Sequence, residues 1–120
     1  MIFNNIDENF MCQSPSGNKV YWLIASEHGA PHFEMRYIEI PPGGSTHYGN
    51  HEHEHEVFIV SGKGWVRGSN GEHEITPRMA VFIPGWEDHQ LINASKTEPL
   101  GVICVVPKGA EADYKPPCGQ

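Results

Sequence analysis

The chain has 120 residues, 38% hydrophobic and 19% charged, with a formal net charge of -7 at pH 7. That length buries one core, not two, and the acidic balance excludes nucleic acid as a partner because phosphate binding needs a basic face. No basic run offers attraction to anionic lipid, and no apolar run approaches the ~18 residues that span a bilayer. The opening MIFNNIDENF has neither the basic start nor the apolar stretch of a secretory leader. The three cysteines, Cys12, Cys104 and Cys118, form no metal-type pair, so a reducing cytoplasm is the expected compartment.

Taken in chain order, residues 1–19 are polar and Asn-rich and are expected as an N-terminal arm. VYWLIA (Val20 to Ala25) and FEMRYIEI (Phe33 to Ile40) are rich in β-formers, the second alternating Phe33, Met35 and Tyr37 against Glu34 and Arg36. PPGGST (Pro41 to Thr46) is a turn by composition, and EVFIV (Glu56 to Val60) is a short apolar strand that stops at SGKG. GWVRG and EHEIT flank Ser69-Asn70-Gly71 and read as a hairpin. MAVFIP, HQLIN and LGVICVV complete the set, and Cys104 within the last is expected as a small buried hydrophobe. Eight or more short strands punctuated by Gly and Pro predict a single all-β domain, a barrel or jelly roll over 20–107 with a patternless tail over 108–120.

HYGNHEHEHE packs four of the eight histidines, His47, His51, His53 and His55, into nine residues. In an extended strand His51, His53 and His55 share one face with Val57 and Ile59, while Glu52, Glu54 and Glu56 take the other. Neutral imidazole is a good ligand for Fe, Mn, Ni, Cu and Zn. Positions 51 and 55 are ~13 Å apart when extended, so one metal takes both only where the chain bends. A charged strand edge and a loose metal-scavenging tract compete with an ordered site here. FIPGWEDHQLIN supplies a second element, with His89 at the head of another strand after a Pro-Gly turn.

Together PGGSTHYGNHEHEHEVFIVSGKG and RMAVFIPGWEDHQLIN resemble the two motifs of the cupin superfamily, in particular small single-domain cupins. The resemblance runs over roughly 34–107 and implies the double-stranded β-helix, or jelly-roll barrel. It implies metal ligands at His51, His55 and His89, with His55 standing where the family usually has Glu. The family's remaining histidine falls on Gly49, and the candidate replacements are His47, two residues earlier, and, less favoured, His53. In the second motif Arg78 and Trp86 stand at the family's glycines. His53 is expected beside the metal as a general base, with Tyr48 as a hydrogen-bond donor.

The implied cofactor is one divalent transition metal (Fe, Mn, Ni, Cu or Zn). The implied function is an enzyme acting on a small organic acid or oxygenated aromatic, by dioxygenation or by lyase/isomerase chemistry with the metal as Lewis acid. A non-catalytic small-molecule sensor and a purely structural metal site are the alternatives. Phe33, Met35, Ile59, Phe82 and Trp86 are the apolar candidates for the pocket lining, with a plain core role the commoner reading for each and the two readings nearer even for Trp86, and His28, His32 and His73 are expected to be structural or at the surface. The resemblance implies a homodimer through sheet contacts, which would cover outward Phe58 and Val60; in a monomer the N-terminal arm would have to cover them.

Overall fold

Among residues 1–118, which this computed structural model describes, nine strands follow one another: β1 (Met11–Gln13), β2 (Lys19–Ile24), β3 (Phe33–Ile40), β4 (His55–Ser61), β5 (Gly64–Gly68), β6 (Gly71–Ile75), β7 (Ala80–Ile83), β8 (Gln90–Asn93) and β9 (Leu100–Pro107). Every pairing is antiparallel, giving a six-stranded sheet in the order β1-β2-β3-β9-β4-β7 and a three-stranded sheet β6-β5-β8. The β5–β6 hairpin closes at Gly68↔Gly71, as the glycine-bearing turn predicts. The result is the expected all-β jelly-roll barrel. No described helix is long and apolar enough to cross a membrane.

The core lies between the two sheets. Ile40, Val57, Ile59, Leu100, Val102 and Val106 from the large sheet meet Ile75 and Leu91 from the small one. Each such buried aliphatic side chain contributes about 1.5–3 kcal/mol. A smaller cluster of Val20, Trp22 and Ala25 extends it toward the C-terminal segment, where the Trp22 indole N–H donates to the Tyr114 carbonyl at 2.9 Å.

Strand β3 inverts the expected facing. Its polar residues point inward, Glu34 at 0% exposure and Arg36 at 4%, while Phe33 is 66% exposed. Burial of a charge is tolerated only with partners, and both have them. Glu34 receives the amides of Ser26 and Gly109 and the Lys115 ammonium. Arg36 donates to Cys104 Sγ at 3.2 Å and lies over the Trp22 ring. The strand's apolar side therefore forms an outer face, continued across the sheet by the register Met35↔Val105, Phe58↔Ile103 and Phe82↔Glu56.

The ends also differ from expectation. The arm expected over 1–19 contributes β1, which pairs with β2, and the tail carries a short 3-10 turn at Ala112–Tyr114. Positions 119 and 120 of that tail lie outside the described residues. The cysteines, expected as reduced thiols, include a disulfide between Cys12 on β1 and Cys118. Nothing local in the sequence pairs two cysteines 106 positions apart. Cys104 stays a free, buried thiol, as its apolar setting predicts.

Candidate metal centre

The histidine run does not extend as one strand. Strand β4 begins at His55, and residues 51–54 form a bend. Two contacts hold that bend. Gly49 and His89 exchange both backbone hydrogen bonds, at 3.2 and 2.9 Å. The Trp86 amide donates to the His51 carbonyl at 2.7 Å. Gly85 is required beside it, because a Cβ there would collide with the Glu52 carbonyl oxygen. The shared facing of His51, His53 and His55 along an extended strand is thus replaced by a loop docked on the Pro84–Trp86 turn. The bend brings His51 Nε2 to 2.9 Å from His55 Nε2.

His89, at the head of β8, completes a group of three rings. The pairs His51–His55, His51–His89 and His55–His89 have centroids 4.7, 4.9 and 5.1 Å apart and planes crossed at 86°, 79° and 78°. Two of the three have an assigned tautomer. His51 Nδ1 lies 2.8 Å from the His53 carbonyl oxygen, and His89 Nδ1 lies 2.8 Å from that of Glu87. A carbonyl only accepts, so each Nδ1 carries the proton and each neutral ring keeps a bare Nε2. His55 Nδ1 meets Cys104 Sγ at 3.2 Å. Burial, then the Arg36 charge and the other histidines, pushes the His55 pKa down to about 2. Burial, then the neighbouring His53, also lowers that of His51. Neutral imidazoles with their second nitrogen tied to protein acceptors are the form that binds a transition metal, so these residues fit one.

His53 stands differently. Its ring is stacked on His51 at 3.7 Å and 7°, and its Nε2 bonds to Glu111 Oε1 at 2.9 Å. By proximity alone, the donor atoms of His51, His53, His55 and Glu111 form a group, all within 4.8 Å of one another. Ring geometry selects otherwise. Imidazole lone pairs lie in the ring plane, and the parallel planes of His51 and His53 do not aim at one point, whereas the rings of His51, His55 and His89 are mutually crossed. The three crossed rings of His51, His55 and His89 form one cluster, with His53 stacked behind His51.

Gly49 faces His89 across the backbone pair, so a side chain there would stand beside the His89 ring. That space is taken by His47. A Cβ at Gly49 would lie 3.3 Å from His47 Cδ2 and 3.5 Å from its Nε2. His47 lines the cavity but is exposed. Tyr48, expected as a donor to the site, instead lies with its ring under the Arg67 guanidinium and is not among the cavity's lining residues.

The cavity itself has a volume of about 210 Å³ and is walled by the three histidines together with Arg36, Val57 and Leu91, among others. None of Phe33, Met35, Ile59, Phe82 and Trp86 lines it. Ile59 belongs to the core and the other four are exposed, following the inverted facing of β3 and the outward faces of β7 and the turn. Arg36 and Glu111 in the wall carry no motif; the only sequence signal for Arg36 was a polar letter in an apolar strand, and Glu111, in the patternless tail, had none. His28 Nδ1 accepts the Ala25 amide, and His73 sits exposed on β6.

A family model described as "Cupin domain" matches residues 36–106. The 1-methylthio-D-xylulose 5-phosphate methylsulfurylase of Rhodospirillum rubrum is 39% identical over 80 residues, which are 67% of this chain and 49% of that protein. The chain thus spans about half the length of that curated relative. Among solved structures, a cupin 2 domain-containing protein from Halorhodospira halophila superposes with a TM-score of 0.72 at 34% identity, over 85% of this chain and 76% of that one. The polyketide cyclase RemF from Streptomyces resistomycificus superposes with a TM-score of 0.78 at 24% identity, over 98% and 83%, a likeness of fold alone.

Proposed function

The chain belongs to the cupin family, and from that premise we propose that it is a metal-dependent enzyme acting on a small oxygenated organic anion. One divalent transition metal is bound by His51, His55 and His89. The observation that carries this reading is the cluster of three mutually crossed imidazoles, two with their Nδ1 protons tied to backbone carbonyls, on the wall of a cavity. Three protein ligands leave open coordination positions, which a purely structural site does not need.

When bound, such a metal supplies Lewis-acid polarisation of a substrate carbonyl or, as iron, a place for oxidative chemistry. The chain's own residues bind and orient. Arg36, 4% exposed and with its Nε lacking a hydrogen-bond partner, offers a buried positive charge in the cavity wall to a carboxylate, phosphate or enolate. Val57, Leu91 and Val102 exclude water around it. The curated relative is named for a sugar phosphate, an anion of this kind. That favours lyase, isomerase or group-transfer chemistry over dioxygenation.

His53 serves the centre from behind His51, and the small ligand volume suits a compact substrate. In this reading the protein is a homodimer, with a second copy covering the outer face of Phe33, Met35, Phe58 and Phe82.

The test is carbon-bound proton exchange in deuterated buffer, followed by nuclear magnetic resonance for a panel of small keto acids and sugar phosphates. The metal-loaded protein should exchange the proton next to the carbonyl of at least one member, and the metal-stripped protein should not. Equal behaviour of both forms across the panel would overturn the reading in favour of a non-catalytic container. Oxygen consumption with the same panel would move it to dioxygenation.

A further inference from the structure

Beyond the segment that the family model matches, the chain approaches the histidines once more. Residues 108–115 leave β9 and cross the cavity, with Glu111 and Tyr114 in its wall. Both ends of this strap close on one carboxylate. The Gly109 amide donates to Glu34 Oε1 at 2.9 Å, and Lys115 Nζ donates to Glu34 Oε2 at 2.6 Å. Glu34 is wholly buried, and the Ser26 amide also donates to its Oε2 at 2.8 Å. Lys115 reaches Glu27 Oε1 as well, at 3.0 Å, and lies over the Trp22 ring. Glu111 sits between the two anchors. Its Oε1 is 2.9 Å from His53 Nε2, 3.9 Å from His55 Nε2 and 3.9 Å from Arg36 Nη2.

We propose that Glu111 is a carboxylate ligand of the centre formed by His51, His55 and His89, with His53 holding the carboxylate by a hydrogen bond and Glu34 positioning the strap that delivers it. This rests on the metal reading above. Metal–ligand bonds of ~2.0–2.2 Å put two donor atoms on one ion no more than about 4.4 Å apart, and Glu111 Oε1 lies inside that limit from His55 Nε2.

The bland account, that Glu111 merely neutralises Arg36, fits less well. The short contact of Glu111 is to His53. Arg36 spends its hydrogen bond on Cys104 Sγ and its face on Trp22. Ligating carboxylates are characteristically held by a further hydrogen bond, which is what His53 supplies. The family's usual glutamate position is occupied by His55, and the strap returns a carboxylate to the same histidines from the other end of the chain.

The experiment is Mn(II) binding to the intact protein, read from the free-ion electron paramagnetic resonance signal, with the Co(II) absorption spectrum as a second readout. Glu111→Gln should weaken Mn(II) binding by at least about ten-fold and alter the Co(II) bands. Glu111→Asp keeps the charge beside Arg36 but retracts the oxygen, and should show the same loss. Glu34→Gln should weaken binding alone but add nothing to Glu111→Gln.

If both Glu111 variants bound Mn(II) as the wild type does, while His51→Ala abolished binding, Glu111 would not be a ligand and the histidine centre would stand. If Glu111→Gln lost affinity but Glu111→Asp did not, charge neutralisation would replace ligation. If the wild type took up neither ion, this proposal and the metal reading would fall together.

Discussion

Two residues carry left-handed backbone where most side chains avoid it. Arg78 has φ 78° and Trp86 φ 67°, and both stand where the cupin pattern resembled in the sequence has glycine. The substitutions changed the letters but left the turn shapes, so each position holds strain of about 1–2 kcal/mol. Neither side chain is buried to offset it, Trp86 being 68% exposed. Arg78→Gly and Trp86→Gly should each raise stability by about 1 kcal/mol, after allowing for the freedom glycine adds to the unfolded chain. Urea unfolding midpoints measure this, and a drop at either position would mean that the side chain makes a contact worth more than the strain. At Trp86 the turn also docks the His51 loop, so unchanged metal affinity in Trp86→Gly is expected only if the Trp86 amide keeps its bond to the His51 carbonyl.

Among the elements, the strap over 108–115 has a strength that depends on pH, through Glu34, Lys115 and the nearby Glu27. Burial alone would raise the Glu34 pKa, but the hydrogen bonds from Lys115 and the Gly109 and Ser26 amides outweigh it and hold it below the ordinary 4.5. A depressed carboxylate pKa contributes stability that is complete above the ordinary value and is lost as pH falls through the folded one. For Lys115 burial acts downward, yet the bonds to Glu34 and Glu27 carry its pKa above 10.5. That contribution is complete below the ordinary value and is lost as pH rises through the folded one. The strap should thus be firmest between the two. Hydrogen-exchange protection of the Gly109 amide, corrected for the intrinsic rate, should decline as pH drops below 4.5 before the barrel strands lose theirs. Simultaneous loss across the chain would show that the strap has no separate clasp.

Local pattern explains what the sequence made legible among these elements. Strands β2 to β9 follow from runs of β-formers between Gly and Pro, and the proximity of the His51, His55 and His89 rings follows from two motifs. The strap does not, because Glu34 buries itself by virtue of Gly109 and Lys115, 75 and 81 positions away. The same distance hides the inverted facing of β3, which alternation alone assigns with either parity.

For the whole molecule, the inversion has a consequence. Phe33, Met35, Phe58, Val60 and Phe82 stand exposed on one sheet face, at 66, 37, 45, 46 and 61%, and only Phe58 and Val60 of these were legible as outward from the β4 alternation. In the homodimer proposed above, a second copy covers them. Phe58→Glu should then convert the dimer to a monomer in light scattering, with its far-ultraviolet circular dichroism unchanged. A wild-type monomer would assign the face to another partner.

The central claim is that His51 and His55 from a bent loop and His89 from β8 hold one metal ion. Elemental analysis of untagged protein, dialysed after purification, tests it most directly alongside His51→Ala and His89→Ala. The account predicts one equivalent of a single transition metal in the wild type and under a tenth of that, as a rough bound for losing one of three ligands, in each variant with the fold intact. Full stoichiometry retained in both variants would contradict it.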